Sequence, residues 1–89
     1  MAAHEKWALR RQLGARIRAL RLEAGIGSQE KLAELAGVHR TYVGRLERGE
    51  SGVTVETLAA VLGAISLSLA VFFQTFTRPT RPHTPRRRD

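Results

Sequence analysis

Arg40, Thr41, Gly44, Arg45 and Arg48 are spaced so that a helix gathers them on one side, with Val43 and Leu46 on the other. A guanidinium carries donors in a planar fork that suits phosphate oxygens and the edge of guanine. An apolar stripe backed by an arginine-rich face is what a helix needs to enter the major groove of duplex DNA. Catalytic chemistry has no comparable foothold. His4, His39 and His83 are far apart, and no metal-ligand spacing, phosphate-cradling glycine loop or nucleophile elbow occurs. Glu30, Glu34, Glu47 and Glu56 sit where exposed helix faces or an ion pair would put them. Cysteine is absent, so neither a disulfide framework nor a thiolate metal site is available. The expectation is a protein that is not an enzyme and needs no cofactor.

That face must be positioned by other elements. Ser28 is a candidate N-cap for a preceding helix whose Leu32, Ala33, Leu35 and Ala36 form an apolar stripe. Gly37 supplies the left-handed backbone that ends it, Val38 plugs the angle to the next helix, and Ala33 is small where the two helices cross. The result is a pair of short helices hinged at Gly37. Upstream, Leu9, Leu13, Ile17, Leu20 and Ala24 follow a helical period, starting as early as Glu5 and ending at Gly25. Downstream, Gly49 closes the arginine-bearing helix and Glu50 to Val53 form a loop. Thr54 caps a fourth helix with Leu58, Val61, Leu62 and Ile65 inward. Ser68 caps a short fifth helix carrying Leu69, Phe72, Phe73 and Phe76.

Two rival readings compete for the carboxyl-terminal part. Ile65 to Leu69 alternates apolar and polar residues as a half-buried strand does. Residues 57–77 hold no charge and precede arginines, which fits a membrane span. Against the span, it would strip the lid from the first three helices, and two serines and a glutamine interrupt it. An all-α, five-helix domain over residues 9–76 is therefore expected, with 1–8 as the start of the first helix and 77–89 as a separate tail.

Residues 28–49, from Ser28-Gln-Glu-Lys through Arg-Leu-Glu-Arg-Gly49, resemble the helix-turn-helix of the lambda-repressor-like (XRE) regulators. The start of the second helix, His39-Arg-Thr-Tyr-Val43, is similar to the controller proteins of restriction–modification systems. The resemblance extends over residues 9–76. It implies base contacts from Arg40, Thr41, Gly44 and Arg45, although Gly44 has no side chain to read with. It also implies backbone contacts from Ser28 and Gln29, at a helix N-terminus whose free amides favour anions. His39, Tyr42 and Arg48 flank the same face, within reach of the DNA backbone. Arg21 and Glu47 align with a family ion pair that ties the first helix to the end of the recognition helix. One departure stands out, because the following loop, often basic in the family, here begins with Glu50, which repels phosphate.

The implied function is a double-stranded DNA operator-binding transcriptional regulator, a repressor acting as a homodimer, with Leu69, Phe72, Phe73 and Phe76 as dimer anchors. The alternative is an antitoxin that binds a toxin protein and represses its own operon. Eighty-nine residues make one domain. The amino-terminal residues show no signal-peptide pattern and no cysteine is present, in keeping with a reducing cytoplasm. The formal charge is +7, which favours a polyanionic partner. Lys6, Arg10, Arg11, Arg16, Arg18 and Arg21 crowd the amino-terminal end, and Arg78, Arg81, Arg86, Arg87 and Arg88 the tail. With Glu50 in the loop, backbone affinity rests more on these two groups. The tail beyond Phe76 has three prolines and no hydrophobic residue, too little apolar surface to offset its ordering entropy, so disorder is expected. Deleting residues 77–89 is expected to flatten the salt dependence of DNA binding and leave the helical circular dichroism unchanged. An unchanged salt slope would remove the tail from phosphate contact.

Overall fold

The computed structural model describes residues 2–75; Phe76 and the tail at 77–89 lie outside the described residues. Among the described residues five helices follow in order: α1 (Ala3–Glu23), α2 (Gln29–Ala36), α3 (Arg40–Glu47), α4 (Val55–Gly63) and α5 (Leu69–Thr75). Local chemistry sets most of their boundaries. The Glu5 carboxylate accepts the Ala2 backbone N–H at 2.9 Å, so α1 starts earlier than its apolar period. Ser28 Oγ accepts the Lys31 amide at 3.0 Å and caps α2, and Thr54 Oγ1 accepts the Thr57 amide at 3.1 Å and caps α4. Ser68 Oγ accepts the Val71 amide at 3.1 Å at the start of α5. Gly37, at φ +74°, ends α2 in the left-handed region where a Cβ would be strained.

Leu13, Ile17, Leu32, Ala33, Val43, Leu46, Leu58, Val61, Leu62 and Phe72 form one buried core to which all five helices contribute. Several expectations from periodicity need correction. Leu9 and Leu35 are 38% and 49% exposed, because the first turns of α1 overhang the core and α2 turns Leu35 to solvent. Ala24 is exposed, since it is already the C-cap of α1. Phe72, expected among the dimer anchors, is fully buried and fills the monomer's own core under α4. The strand expected as a rival does not form, because residues 64–66 make a turn and Ser68 caps a helix. No described helix is long and apolar enough to cross a membrane; residues 57–75 are divided by that turn between α4 and α5.

The long α1 is locked to α3 by a close approach and an ion pair. A Cβ at Gly14 would collide with the Leu46 carbonyl oxygen and stand 2.7 Å from that of Glu47, so only glycine lets α1 reach the end of α3. Two turns along, the guanidinium of Arg21 meets the carboxylate of Glu47 with both side chains buried, Nε to Oε2 at 2.7 Å and Nη2 to Oε1 at 3.1 Å. Arg21 Nη1 also donates to the Ile26 carbonyl at 2.9 Å, which holds the α1–α2 loop. A bidentate, additionally hydrogen-bonded pair of this kind is the form in which buried charges are tolerated.

Gly14→Ala is expected to lower unfolding stability by about 3 kcal/mol, the upper range for overpacking, read as a lower urea midpoint. Arg21→Met should cost about 3–5 kcal/mol by stranding the Glu47 carboxylate. Adding Glu47→Leu should regain part of that loss, whereas a double variant less stable than Arg21→Met would show that the charge is not what matters.

Candidate nucleic-acid interface

The candidate DNA-facing surface is built on α3. His39 is its N-cap, with Nδ1 accepting the Thr41 amide at 3.1 Å, so the imidazole is held by the helix start. Val43 and Leu46 are fully buried and Gly44 and Glu47 are buried beside them. Arg40, Thr41, Arg45 and Arg48 face solvent. The three arginines expected to contact DNA therefore share one exposed surface, with Thr41 among them. Arg40 lies 3.7 Å from Glu30, but both side chains are largely exposed, and such a surface pair contributes little to stability and yields easily to a stronger partner.

Gln29, expected at phosphate, is half-buried, and its Nε2 donates to Glu47 Oε1 at 2.9 Å. It therefore extends the Arg21–Glu47 pair into α2 and stands at the border between scaffold and interface. Ser28 is an exposed N-cap with its hydroxyl committed to Lys31. Tyr42 is half-buried, and its hydroxyl donates to the Gly52 carbonyl at 3.4 Å. Burial pushes its phenol above the ordinary tyrosine range. It bridges α3 to the following loop across an open groove lined by Val38, His39, Gly52, Val53, Thr54 and Thr57.

Gly44, silent in the sequence as a reading position, shapes the surface instead. A cleft of about 410 Å³ lies over it, lined by Gln29, Glu30, Arg40, Thr41, Gly44 and Arg48. Arg48 is the C-cap of α3, and its guanidinium is bonded by Glu50, Nε to Oε2 and Nη2 to Oε1, each at 3.1 Å. The hydrogen bond from Arg48 holds the Glu50 carboxyl below the usual carboxylate range. This pairing escapes a pattern-based reading because the helix has ended between the two residues. The only sequence signal is opposite charge on either side of Gly49.

The amino-terminal basic residues lie beside the same loop. Arg10 stacks on Trp7, 4.9 Å from the ring centroid, and its Nη2 would be 3.0 Å from a Cβ at Gly52. The Arg11 backbone packs on Gly49, whose φ of +76° and whose missing Cβ both require glycine. The structure thus places α1 arginines next to the end of α3. Among the described residues there is no group of three or more His, Cys, Asp or Glu side chains that could hold a metal ion.

Residues 17–72 match a helix-turn-helix family model. Control protein C.SmaI of Serratia marcescens is 50% identical over 42 residues, 47% of this chain and 50% of that protein. The HTH-type transcriptional regulator SutR of Escherichia coli is 39% identical over 77 residues, 86% of this chain and 40% of that protein. The chain thus spans half or less of the length of these two curated relatives. Among solved structures, the restriction–modification controller protein C.Esp1396I, a tetramer in complex with its natural 35 base-pair operator, superposes with a TM-score of 0.71. Its sequence identity is 31%, over 76% of this chain and 88% of that one. The hinged α2–α3 pair, the outward arginines of α3 and a family match across more than half of the chain lead to one assignment: the chain belongs to the lambda-repressor-like (XRE) type of the helix-turn-helix family.

Proposed function

We propose that the chain is a sequence-specific, double-stranded DNA-binding transcriptional regulator that acts as a homodimer on a near-palindromic operator in the cytoplasm. The observation that carries this reading is α3 itself, with Val43 and Leu46 locked into the core and Arg40, Thr41 and Arg45 outward. Arg40 and Arg45 each offer a fork to guanine O6 and N7, and the Thr41 methyl suits thymine. The likeness to a controller protein solved on its operator supports the same reading.

One helix-turn-helix reads only about four to six base pairs, too few for specificity alone, so two copies on a two-fold site are required. An apolar surface suited to pairing lies on the side formed by Leu9, Leu13, Val53, Val55, Leu58 and Phe73. Phe73 is 53% exposed and Val55 69%, and Leu69 on α5 is half-buried. Leu9, Val53, Val55, Leu69 and Phe73 are the dimer anchors of this proposal, with Leu13 and Leu58 beneath them in the core; Phe72 lies in that core too, and Phe76, expected among the anchors, lies outside the described residues. Repression by occluding a promoter is the simplest mode for a chain whose described part is one DNA-reading domain. The antitoxin reading draws on a strand at residues 65–69 or a tail ordered by a partner; residues 64–66 form a turn followed by α5, and the tail lies outside the described residues.

Selection of bound sites from a random duplex pool should return a two-fold symmetric motif. Arg40→Ala or Arg45→Ala should weaken binding to that site by about 1–3 kcal/mol and relax preference at one or two positions. Full sequence preference in either variant would refute the assignment of α3 as the reading helix.

A further inference from the structure

Gly44 and Glu50 look like losses when judged by residue type, one a missing reader and the other a charge of the wrong sign. The structure joins them through Arg48. With no side chain at Gly44, the Arg48 guanidinium folds back along α3, and Nη1 stands 3.0 Å from where a Cβ would be. Gln29 Oε1 closes the other side of the notch at 3.1 Å from the same point. The guanidinium therefore lies in the cleft that Arg40 and Thr41 also line, on the recognition face and not beyond the helix end.

Glu50 holds it there by the Nε and Nη2 edge, through the two contacts of 3.1 Å. A carboxylate bound at two points fixes the plane of the fork, which one contact or a lysine ammonium cannot do. The pairing consumes the side-on edge of Arg48 and leaves the end-on edge, formed by Nη1 and the second Nη2 proton, directed away from Glu50. That edge has the spacing required by guanine O6 and N7. Both side chains are about half exposed, 54% and 53%, so the arrangement is open to a ligand.

We propose that Arg48 is a specificity-determining residue that reads a guanine through the notch at Gly44, and that Glu50 is the positioning residue that aims it. The inference rests on the regulator reading above. It differs from the simple electrostatic view of Glu50 in the sign of an experiment. If Glu50 only repels phosphate, removing its charge strengthens binding to every sequence and leaves the motif intact. If it positions Arg48, the same change erases preference at one base position.

The test is selection from a random duplex pool with wild type, Glu50→Gln, Arg48→Lys and Gly44→Ala, followed by titration of the wild-type motif and its single-base variants. Thermal melting of each variant checks folding; Arg48 and Glu50 are exposed, and at the buried Gly44 a Cβ meets only movable side-chain ends. Glu50→Gln and Arg48→Lys should each lose about tenfold discrimination at the same guanine. Gly44→Ala should do likewise by displacing the fork, while Arg40→Ala affects a different position. A Glu50→Gln protein that binds all duplexes more tightly with its motif intact overturns the positioning role. Preference retained by Arg48→Lys overturns the reading role. A wild-type pool with no motif overturns both this inference and the regulator assignment, whereas a wild-type motif indifferent to all three changes overturns this inference alone.

Discussion

The pair between Arg21 and Glu47 is the interaction on which the rest of the architecture depends. Its three partners come from separate pieces of chain: Arg21 from α1, Glu47 from the end of α3, and Gln29 from the first turn of α2. Arg21 also holds the Ile26 carbonyl in the α1–α2 loop. One small polar cluster thus sets the angle of the recognition helix against the two helices behind it. Buried ionic groups are not a strong source of stability compared with apolar packing. Their value here is geometric, because a charge that must be satisfied tolerates only one arrangement of the donors around it.

The close approach at Gly14 works with that cluster. Dispersion and burial would let α1 slide along α3 with little change in contact area, but a helix crossing that needs a missing Cβ exists at one register only. The registration has a consequence at the far end of α1. It lays Arg11 on Gly49 and Arg10 against Gly52, so a basic helix borders a loop whose own first residue, Glu50, is acidic. Positive charge near the end of the recognition helix therefore comes from a different element than residue types in the loop suggest.

Apolar residues divide between core and surface in a way that supports pairing of two copies. Phe72 and Phe73 are adjacent in sequence, and their rings meet edge to face with centroids 5.1 Å apart. The first is fully buried beneath α4 and the second is 53% exposed. A core this small uses one aromatic ring as its lid and leaves the neighbouring ring outside, next to Val55 and Leu9. Such a contiguous apolar surface is costly to leave in water and fits the proposed dimer face.

Features set by neighbours within a helical turn are legible in the amino-acid sequence by itself. Ser28 and Thr54 cap helices, Gly37 and Gly49 end them, and Arg40, Thr41 and Arg45 share a face, because capping, left-handed backbone and the 3.6-residue period are local properties. The resemblance over residues 9–76 adds the Arg21–Glu47 pair, which no local rule connects across 26 positions. What the tertiary structure alone decided depends on distances between remote residues. Leu35 lies in an apolar stripe yet faces water because α1, α3 and α4 leave it no partner surface, and Gly14 is essential only because α3 ends against it. Arg48 turns back onto the recognition face because Gly44 makes room and Glu50 supplies the hold, a coincidence of space and charge that residue type cannot reveal.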